Sequence, residues 1–372
     1  MAIENGVKIT TENEIVNLNY QVLESMVDWV RVINKDGIIV YANKAMKDSL
    51  GEDIIGTKCY KTHCRDKKCG FCISTRSMET GETMQKEEVI KGVHYSIKSS
   101  PVYGLDGEIN AAVEVFRDVT RERKLETELI ERNRKMSKDL KFAKKTQEKI
   151  LPKKGDLDTI RIDYLYKPSE MLSGDMFDIF TIDRENIGVY ISDVAGHGIG
   201  ASIMTMFIRQ TMRGIKDDIL SPSLALSELH RRFRLLGLET DKYFTIFYGV
   251  YNKRTRQFKY ANAGHNCIPI KFSDDSIELL ESKGFPIALL SDELTFKEKK
   301  VELLKGQKVL LYTDGITEAK DHNNSNFGVK GVIDTIKNGP DDILRQIENR
   351  FIYHSWGEQD DDYALLLMEI IK

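Results

Sequence analysis

Residues 120–150 contain neither glycine nor proline, and this uninterrupted stretch limits what the rest of the chain can become. Leu129, Asn133, Met136, Leu140, Ala143, Gln147 and Ile150 recur in alternating steps of four and three. That spacing predicts a helix with a heptad seam, in which polar Asn133 and Gln147 at core positions would fix register. A parallel two-stranded coiled coil is the expectation; a single solvated helix docked on a neighbour is the alternative. Pro152, after Leu151, cannot continue the hydrogen-bond ladder and ends the helix. The stretch therefore divides the chain into 15–118, 119–150 and 151–372. Three segments agree with 372 residues at roughly 150 per domain.

Charge narrows the function classes. Fifty-five basic against 58 acidic side chains give a net charge of -3, so nothing draws the whole chain toward nucleic acid or an anionic membrane. No apolar run approaches the ~20 residues of a membrane helix. The polar N-terminus lacks a signal-peptide core. A cytoplasmic protein is expected.

The first segment reads as a small α+β domain. Leu18, Val22 and Met26 have helical spacing. Apolar runs on either side of the turns at 34–37 and 104–107, each ending Asp-Gly, read as hairpins of an antiparallel sheet. Of five cysteines, four follow the pattern Cys59-x4-Cys64-x4-Cys69-x2-Cys72. In a reducing compartment such a cluster points to metal or thiol chemistry before a disulfide framework. Four thiolates can hold Zn2+ or an iron–sulfur cluster, but the second Cys-x2-Cys of a zinc ribbon is missing. Reversible thiol or disulfide sensing, helped by Lys67 and Lys68, and plain structural thiols stay open. Haem through His63 or His94 is a further option. Cys267 reads as core.

In the third segment the chemistry is acidic. Hairpins and helices alternate irregularly, which excludes a doubly wound parallel sheet. An aspartate stands wherever an apolar strand meets a loop: Gly174-Asp175-Met176-Phe177-Asp178, Asp193-Val194-Ala195-Gly196-His197-Gly198, Thr313-Asp314-Gly315 and Asp360-Asp361-Asp362. Strand ends on one edge of a sheet converge in space. Carboxylates gathered there repel unless cations neutralise them. Oxygen ligands without His or Cys select Mg2+ or Mn2+, and a pair of such ions can clamp a phosphoryl group for in-line attack. Taken singly, an Asp before a Gly is an ordinary turn.

These motifs, with Tyr260-Ala261-Asn262-Ala263-Gly264-His265-Asn266 and Leu311-Tyr312-Thr313-Asp314-Gly315, resemble in order the SpoIIE-type serine/threonine phosphatases, a bacterial branch of the PPM metallophosphatases. The resemblance covers 151–372. It implies an α/β/β/α sandwich with two Mn2+ or Mg2+ ions at one end. It makes Asp193 the bridging carboxylate with the Val194 carbonyl beside it, Asp314 and Asp361 ligands of one metal, and Asp175 a ligand of the other. Asp178 and Asp362 are outer partners, or substitutes if the register of the acidic run is off by one. His197 is a candidate general acid; His265 and Asn266 are expected to organise a loop.

Residues 15–118 resemble a PAS domain, through Ile33-Asn34-Lys35-Asp36-Gly37, Tyr41-Ala42-Asn43-Lys44-Ala45 and Phe116-Arg117-Asp118-Val119-Thr120. The two resemblances together imply a PAS sensor controlling a phosphatase through the helix, with a parallel homodimer as its assembly; from charge and hydropathy, neither nucleic acid nor a membrane is an expected partner. The implied substrate is a phosphorylated STAS-domain anti-sigma-factor antagonist in sigma-factor partner switching. Two rivals are a PAS-dimer scaffold with a degenerate phosphatase domain and a metal-dependent hydrolase of small phosphoesters.

Overall fold

A computed structural model describes residues 12–63, 65–238, 241–289, 294–339, 342–356 and 361–372. The chain separates into two compact units, Met1–Lys135 and Met136–Lys372.

The N-terminal unit carries α1 (Glu12–Ser25), β1 (Trp29–Asn34), β2 (Ile39–Ala42), α2 (Lys44–Leu50), α3 (Ile73–Thr80), β3 (Met84–Ile90), β4 (Val93–Tyr103) and β5 (Ile109–Asp118). The strands form one antiparallel sheet in the order β2-β1-β5-β4-β3. Ile33, Ile39, Met46, Ile73, Ile97 and Phe116 fill the core between sheet and helices. Asn43 explains the Ala-Asn-Lys-Ala run. Its side-chain oxygen accepts from the Val30 and Met46 amides, and its NH2 donates to the carbonyls of Leu23, Met26 and Asp28. One buried amide thus caps α2 and pins the chain entering β1. The edge strand β3, with Lys86, Glu87 and Glu88 in it, was not anticipated. Charge protects an exposed edge but hides the apolar alternation that would announce a strand.

One continuous helix, α4 (Thr120–Lys149), follows β5. The helix is present as expected, and a coiled coil is not shown. In the chain Leu129 and Met136 are 63% and 58% exposed, whereas Gln147 is 1% exposed. The polar heptad position is therefore buried within the C-terminal unit, and among the described residues no second helix lies along a seam.

The C-terminal unit is a two-sheet sandwich with helices outside. Its strands are β6 (Gly155–Leu157), β7 (Ile160–Lys167), β8 (Asp175–Thr181), β9 (Asn186–Val194), β10 (Tyr243–Asn252), β11 (Gln257–Ala263), β12 (Ile270–Phe272), β13 (Ile277–Leu279), β14 (Ile287–Ala288), β15 (Lys299–Glu302), β16 (Lys308–Tyr312) and β17 (Tyr363–Ile370). One sheet runs β15-β11-β10-β9-β8 with β14 added on β10; the other runs β13-β12-β16-β17-β7-β6. Helices α5 (Gly198–Gly214) and α6 (Pro222–Arg234) cover the first sheet. The short α7 (Asp314–Thr317), with α8 (Gly328–Lys337) and α9 (Ile343–His354), belongs to the second.

Strand side chains alternate between faces, and the cores follow that period. Phe177, Ile179, Val189, Ile191, Leu311 and Leu366 pack between the sheets. Met176, Tyr190 and Val194 face the helices on the first sheet; Leu310, Tyr312 and Leu365 face those on the second. No helix among the described residues is long and apolar enough to cross a membrane.

Phe244 is wholly buried, edge-on to Phe233 with ring centroids 5.1 Å apart. Phe244→Ala is expected to cost the C-terminal unit about 3–5 kcal/mol. Urea unfolding followed by near-ultraviolet circular dichroism measures the loss; a cost below about 1 kcal/mol would contradict this packing.

Candidate active site

The site begins with two strands. Asp175, first residue of β8, is registered directly opposite Asp193 near the end of β9. Residues so paired on one face lie about 4.5–5.5 Å apart at Cβ, and like charges placed there are destabilising. By the two-residue period both project between the sheets, on the side of Phe177 and Ile191. Asp175 is 2% exposed. Burial first, and then the Asp193 charge, push its carboxyl well above the ordinary range, against the opposing effect of a bond from Thr313. Asp193 is raised to about 7 by burial and by Asp314, Asp361 and Asp362.

The second sheet supplies the rest. Thr313 follows β16, and its hydroxyl donates to Asp175 Oδ2 at 2.6 Å while accepting from the Ala364 amide at 2.9 Å. Asp314 comes next in the chain and opens α7. Asp361 and Asp362 immediately precede β17, antiparallel to β16. Asp362 is fully engaged: Oδ1 accepts from the Ser169 amide and hydroxyl at 2.7 and 2.8 Å, and Oδ2 from the Gly174 amide at 2.7 Å. Asp361 accepts from the Asp362 amide at 2.7 Å, and burial raises its carboxyl, with Asp314 adding to the rise. Asp360 lies outside the described residues.

Two glycines permit the approach. A Cβ on Gly174 would lie 2.9 Å from the Gly196 carbonyl oxygen and 3.1 Å from that of Val194; one on Gly315 would lie 2.0 Å from the Asp362 carbonyl oxygen. The Val194 amide donates back to the Gly174 carbonyl at 3.1 Å.

Asp178 does not join this group. Three residues beyond Asp175, it faces the helix layer, where Arg213 of α5 holds it through two bonds of 2.6 and 3.0 Å and Arg209 stands at 3.4 Å. Its place as an outer partner of the acidic site is thereby corrected. His197 is 70% exposed and pairs with Glu170 at 3.0 Å. His265 is buried between the Thr245 hydroxyl and the Tyr312 carbonyl, its loop tied by Asn262; burial lowers its pKa to about 4. A cavity of about 790 Å3 lined by Phe272, Ile277, Lys308 and Ile336 contains none of Asp175, Asp193, Asp314, Asp361 and Asp362.

Sequence reading gave no role to Thr313 or Ser169, and gave Gln147 only a place in the heptad seam. Gln147 Nε2 donates to the Ser173 carbonyl at 2.8 Å and to the Thr205 hydroxyl at 3.2 Å, and its Oε1 accepts from the Ser173 amide at 3.1 Å. Only its heptad spacing was visible, and that led to a different partner.

Hard oxygen donors whose charges oppose one another fit a divalent cation. Among the described residues, however, no three His, Cys, Asp or Glu side chains are already arranged to hold an ion. The same finding covers the PAS cysteines: Cys59 is buried, Cys69 and Cys72 are half-buried, and Cys64 lies outside the described residues. Nothing there supports Zn2+ or an iron–sulfur cluster.

The family of stage II sporulation protein E (SpoIIE) matches residues 183–371, and the PAS fold matches 23–124. The chain is 28% identical over 243 residues to phosphoserine phosphatase RsbP of Bacillus subtilis, across 63% of this chain and 58% of that protein. It is 29% identical over 187 residues to phosphoserine phosphatase RsbU of Bacillus subtilis, across 50% and 55%. It thus spans little more than half the length of these relatives. The SiaA-PP2C domain of Pseudomonas aeruginosa superposes with a TM-score of 0.53 at 21% identity, over 64% of this chain and 98% of that one. The PP2C domain of Bacillus subtilis SpoIIE with a fragment of its regulatory domain superposes at 0.50 and 13% identity, over 78% and 70%. Both show a shared fold.

Asp193→Asn removes a charge that burial and its neighbours oppose. In the presence of a chelator it should raise stability to urea by about 1 kcal/mol. Lower stability would mean that the carboxylates do not repel.

Proposed function

The chain belongs to the SpoIIE family, and on that footing we propose that it is a divalent-metal-dependent serine/threonine protein phosphatase governed by its PAS unit. The observation that carries this reading is the buried Asp175 directly opposed to the half-buried Asp193, a costly arrangement that a cation would relieve. Asp175, Asp193, the Val194 carbonyl, Asp314 and Asp361 are the proposed ligands. Asp361 is preferred to Asp362 because the latter's oxygens already hold Ser169 and Gly174. When bound, two Mn2+ or Mg2+ ions would supply Lewis acidity toward a phosphoryl group. The chain's own part is to fix the carboxylates: Thr313 orients Asp175, and Asp362 holds the 169–174 segment. His197, exposed beside Glu170, is a proposed proton donor to the leaving oxygen.

The proposed substrate is a phosphorylated STAS-domain anti-sigma-factor antagonist. Support comes from the motif resemblance and from likeness to two proteins named phosphoserine phosphatases. A homodimer through the PAS unit and α4 is proposed on the exposed Leu125, Leu129, Ile130 and Met136.

For control, α4 is proposed to act through Gln147. Its amide grips both backbone polar groups of Ser173, two residues before Asp175. Displacing the end of this helix would displace a proposed ligand.

Two measurements test the reading. Asp193→Asn or Asp314→Asn should lower Mn2+-dependent phosphate release from a phosphoprotein by about a hundredfold or more; an undiminished rate would refute the assignment. A degenerate scaffold predicts no such hydrolysis by the wild-type chain. Preference for small phosphoesters over a folded phosphoprotein would point to the third reading. Gln147→Ala should raise the Mn2+ concentration for half-maximal turnover by about tenfold, whereas exposed Asn133→Ala should not. Equal behaviour of the two variants would remove Gln147 from control.

A further inference from the structure

The N-terminal unit holds a group of nucleophilic side chains that phosphatase chemistry does not use. Cys59, His63, Cys69, Cys72, Arg31 and Glu114 line one cavity of about 10 Å3, the size of a single small guest. The buried Arg31 binds Glu114 across the sheet through its Nε at 2.7 Å, and donates to the Thr62 hydroxyl at 2.6 Å and toward His63 Nε2 at 3.1 Å. A guanidinium has only donors, so His63 Nε2 accepts and the ring hydrogen sits on Nδ1. Burial, followed by the Arg31 charge, lowers the His63 pKa to about 4, in keeping with that neutral form. Nδ1 is buried without a hydrogen-bond partner, with Glu88 no nearer than 3.8 Å. His63 therefore keeps an unused N–H on the side of Glu88 and has no free imidazole lone pair for a metal.

The three described thiols differ. Cys59 is in the core, and burial raises its pKa. Cys72 is the N-cap of α3, where the helix dipole favours an anion. The Thr75 hydroxyl donates to its sulfur at 3.2 Å. Burial would push this thiol up, but hydrogen bonds, Thr75 foremost, bring it below the usual value. Cys69, three residues earlier and also half-buried, has the Arg65 guanidinium 3.4 Å from its sulfur. Nothing lies within 4 Å of a Cβ built on the intervening Gly70.

We propose that Cys69 and Cys72 are a hydroperoxide-oxidised dithiol, with Cys72 as nucleophile and Cys69 as resolving thiol. The Cys72 thiolate attacks one oxygen of the hydroperoxide; the O–O bond breaks, the other oxygen leaves with the electron pair and takes a proton, and Cys72 becomes a sulfenic acid. The Cys69 thiol then attacks that sulfur, and hydroxide leaves as water with the Cys69 proton. Two thiols and one hydroperoxide give one disulfide, one alcohol (water, when the peroxide is H2O2) and one water. This chemistry stands apart from the proposed phosphatase activity.

The test treats the reduced full chain with one equivalent of H2O2 and maps its thiols by alkylation and peptide mass spectrometry. Two of the chain's five thiols should disappear, as a dithiothreitol-reversible link between Cys69 and Cys72. Cys72→Ser should slow thiol loss by about tenfold or more. Cys69→Ser should instead accumulate a dimedone-reactive sulfenic acid at Cys72. Oxidation that falls first on Cys59, or that proceeds undiminished in Cys72→Ser, would overturn the proposal. So would thiols that become reactive only after a chelator strips metal from the purified chain.

Discussion

Two like charges face each other where two antiparallel strands meet, and much of the C-terminal unit is arranged around that conflict. Asp175 and Asp193 share one face and one register position. Neither can turn away, because a one-residue slip of either strand would carry Phe177, Ile179, Val189 and Ile191 out of the core between the sheets. The apolar pattern that builds the sandwich thus enforces the electrostatic strain. The second sheet answers with a hydroxyl from Thr313 and, through Asp362, with a clamp on the Gly174 amide. Contact that close needs the missing side chain of Gly315, whose Cβ would overlap the Asp362 carbonyl.

Aspartates in this unit fall into two kinds, and supply of donors separates them. Asp178 has two arginines; Asp362 has two backbone amides and a hydroxyl. Each is a buried charge with the partners that burial demands. After burial, the leading influence on Asp175 is instead the Asp193 charge, and that on Asp193 is the Asp314 charge. Donor supply is a property of three-dimensional neighbours, so neighbouring aspartates such as Asp361 and Asp362 look equivalent in the sequence and are not equivalent in the fold.

That distinction marks how far the sequence could be read. Periodicity was sufficient for the hairpins β1–β2 and β4–β5, because alternation is a local signal. It placed Asp175, Asp193, Asp314 and Asp361 at strand ends, where the structure finds them. It also contained the means to separate Asp178 from Asp175, since an odd spacing along a strand puts them on opposite faces. Gln147 was harder. A polar residue at a heptad core position reads as a register device between helices. Its actual partners, Ser173 and Thr205, lie 26 and 58 residues away, beyond any helical repeat. Thr313 was passed over for a similar reason: its partners Asp175 and Ala364 are 138 and 51 residues distant.

The chemistry of an amide explains why glutamine occupies that place. A leucine buried at the end of α4 would be held by volume and could slide with small loss. Gln147 must satisfy a donor and an acceptor of one residue at once, and does so at 2.8 and 3.1 Å. Hydrogen bonds weaken steeply with misalignment, and a buried amide left without partners costs about 1–3 kcal/mol. The contact is therefore either made or broken, with little between. It is fixed to the segment that ends in Asp175, whose own environment is already opposed by charge. Under the proposed control through α4, free of glycine and proline from Thr120 to Lys149, the sharpness of this bond, more than the stiffness of the helix, is what would make the response two-state.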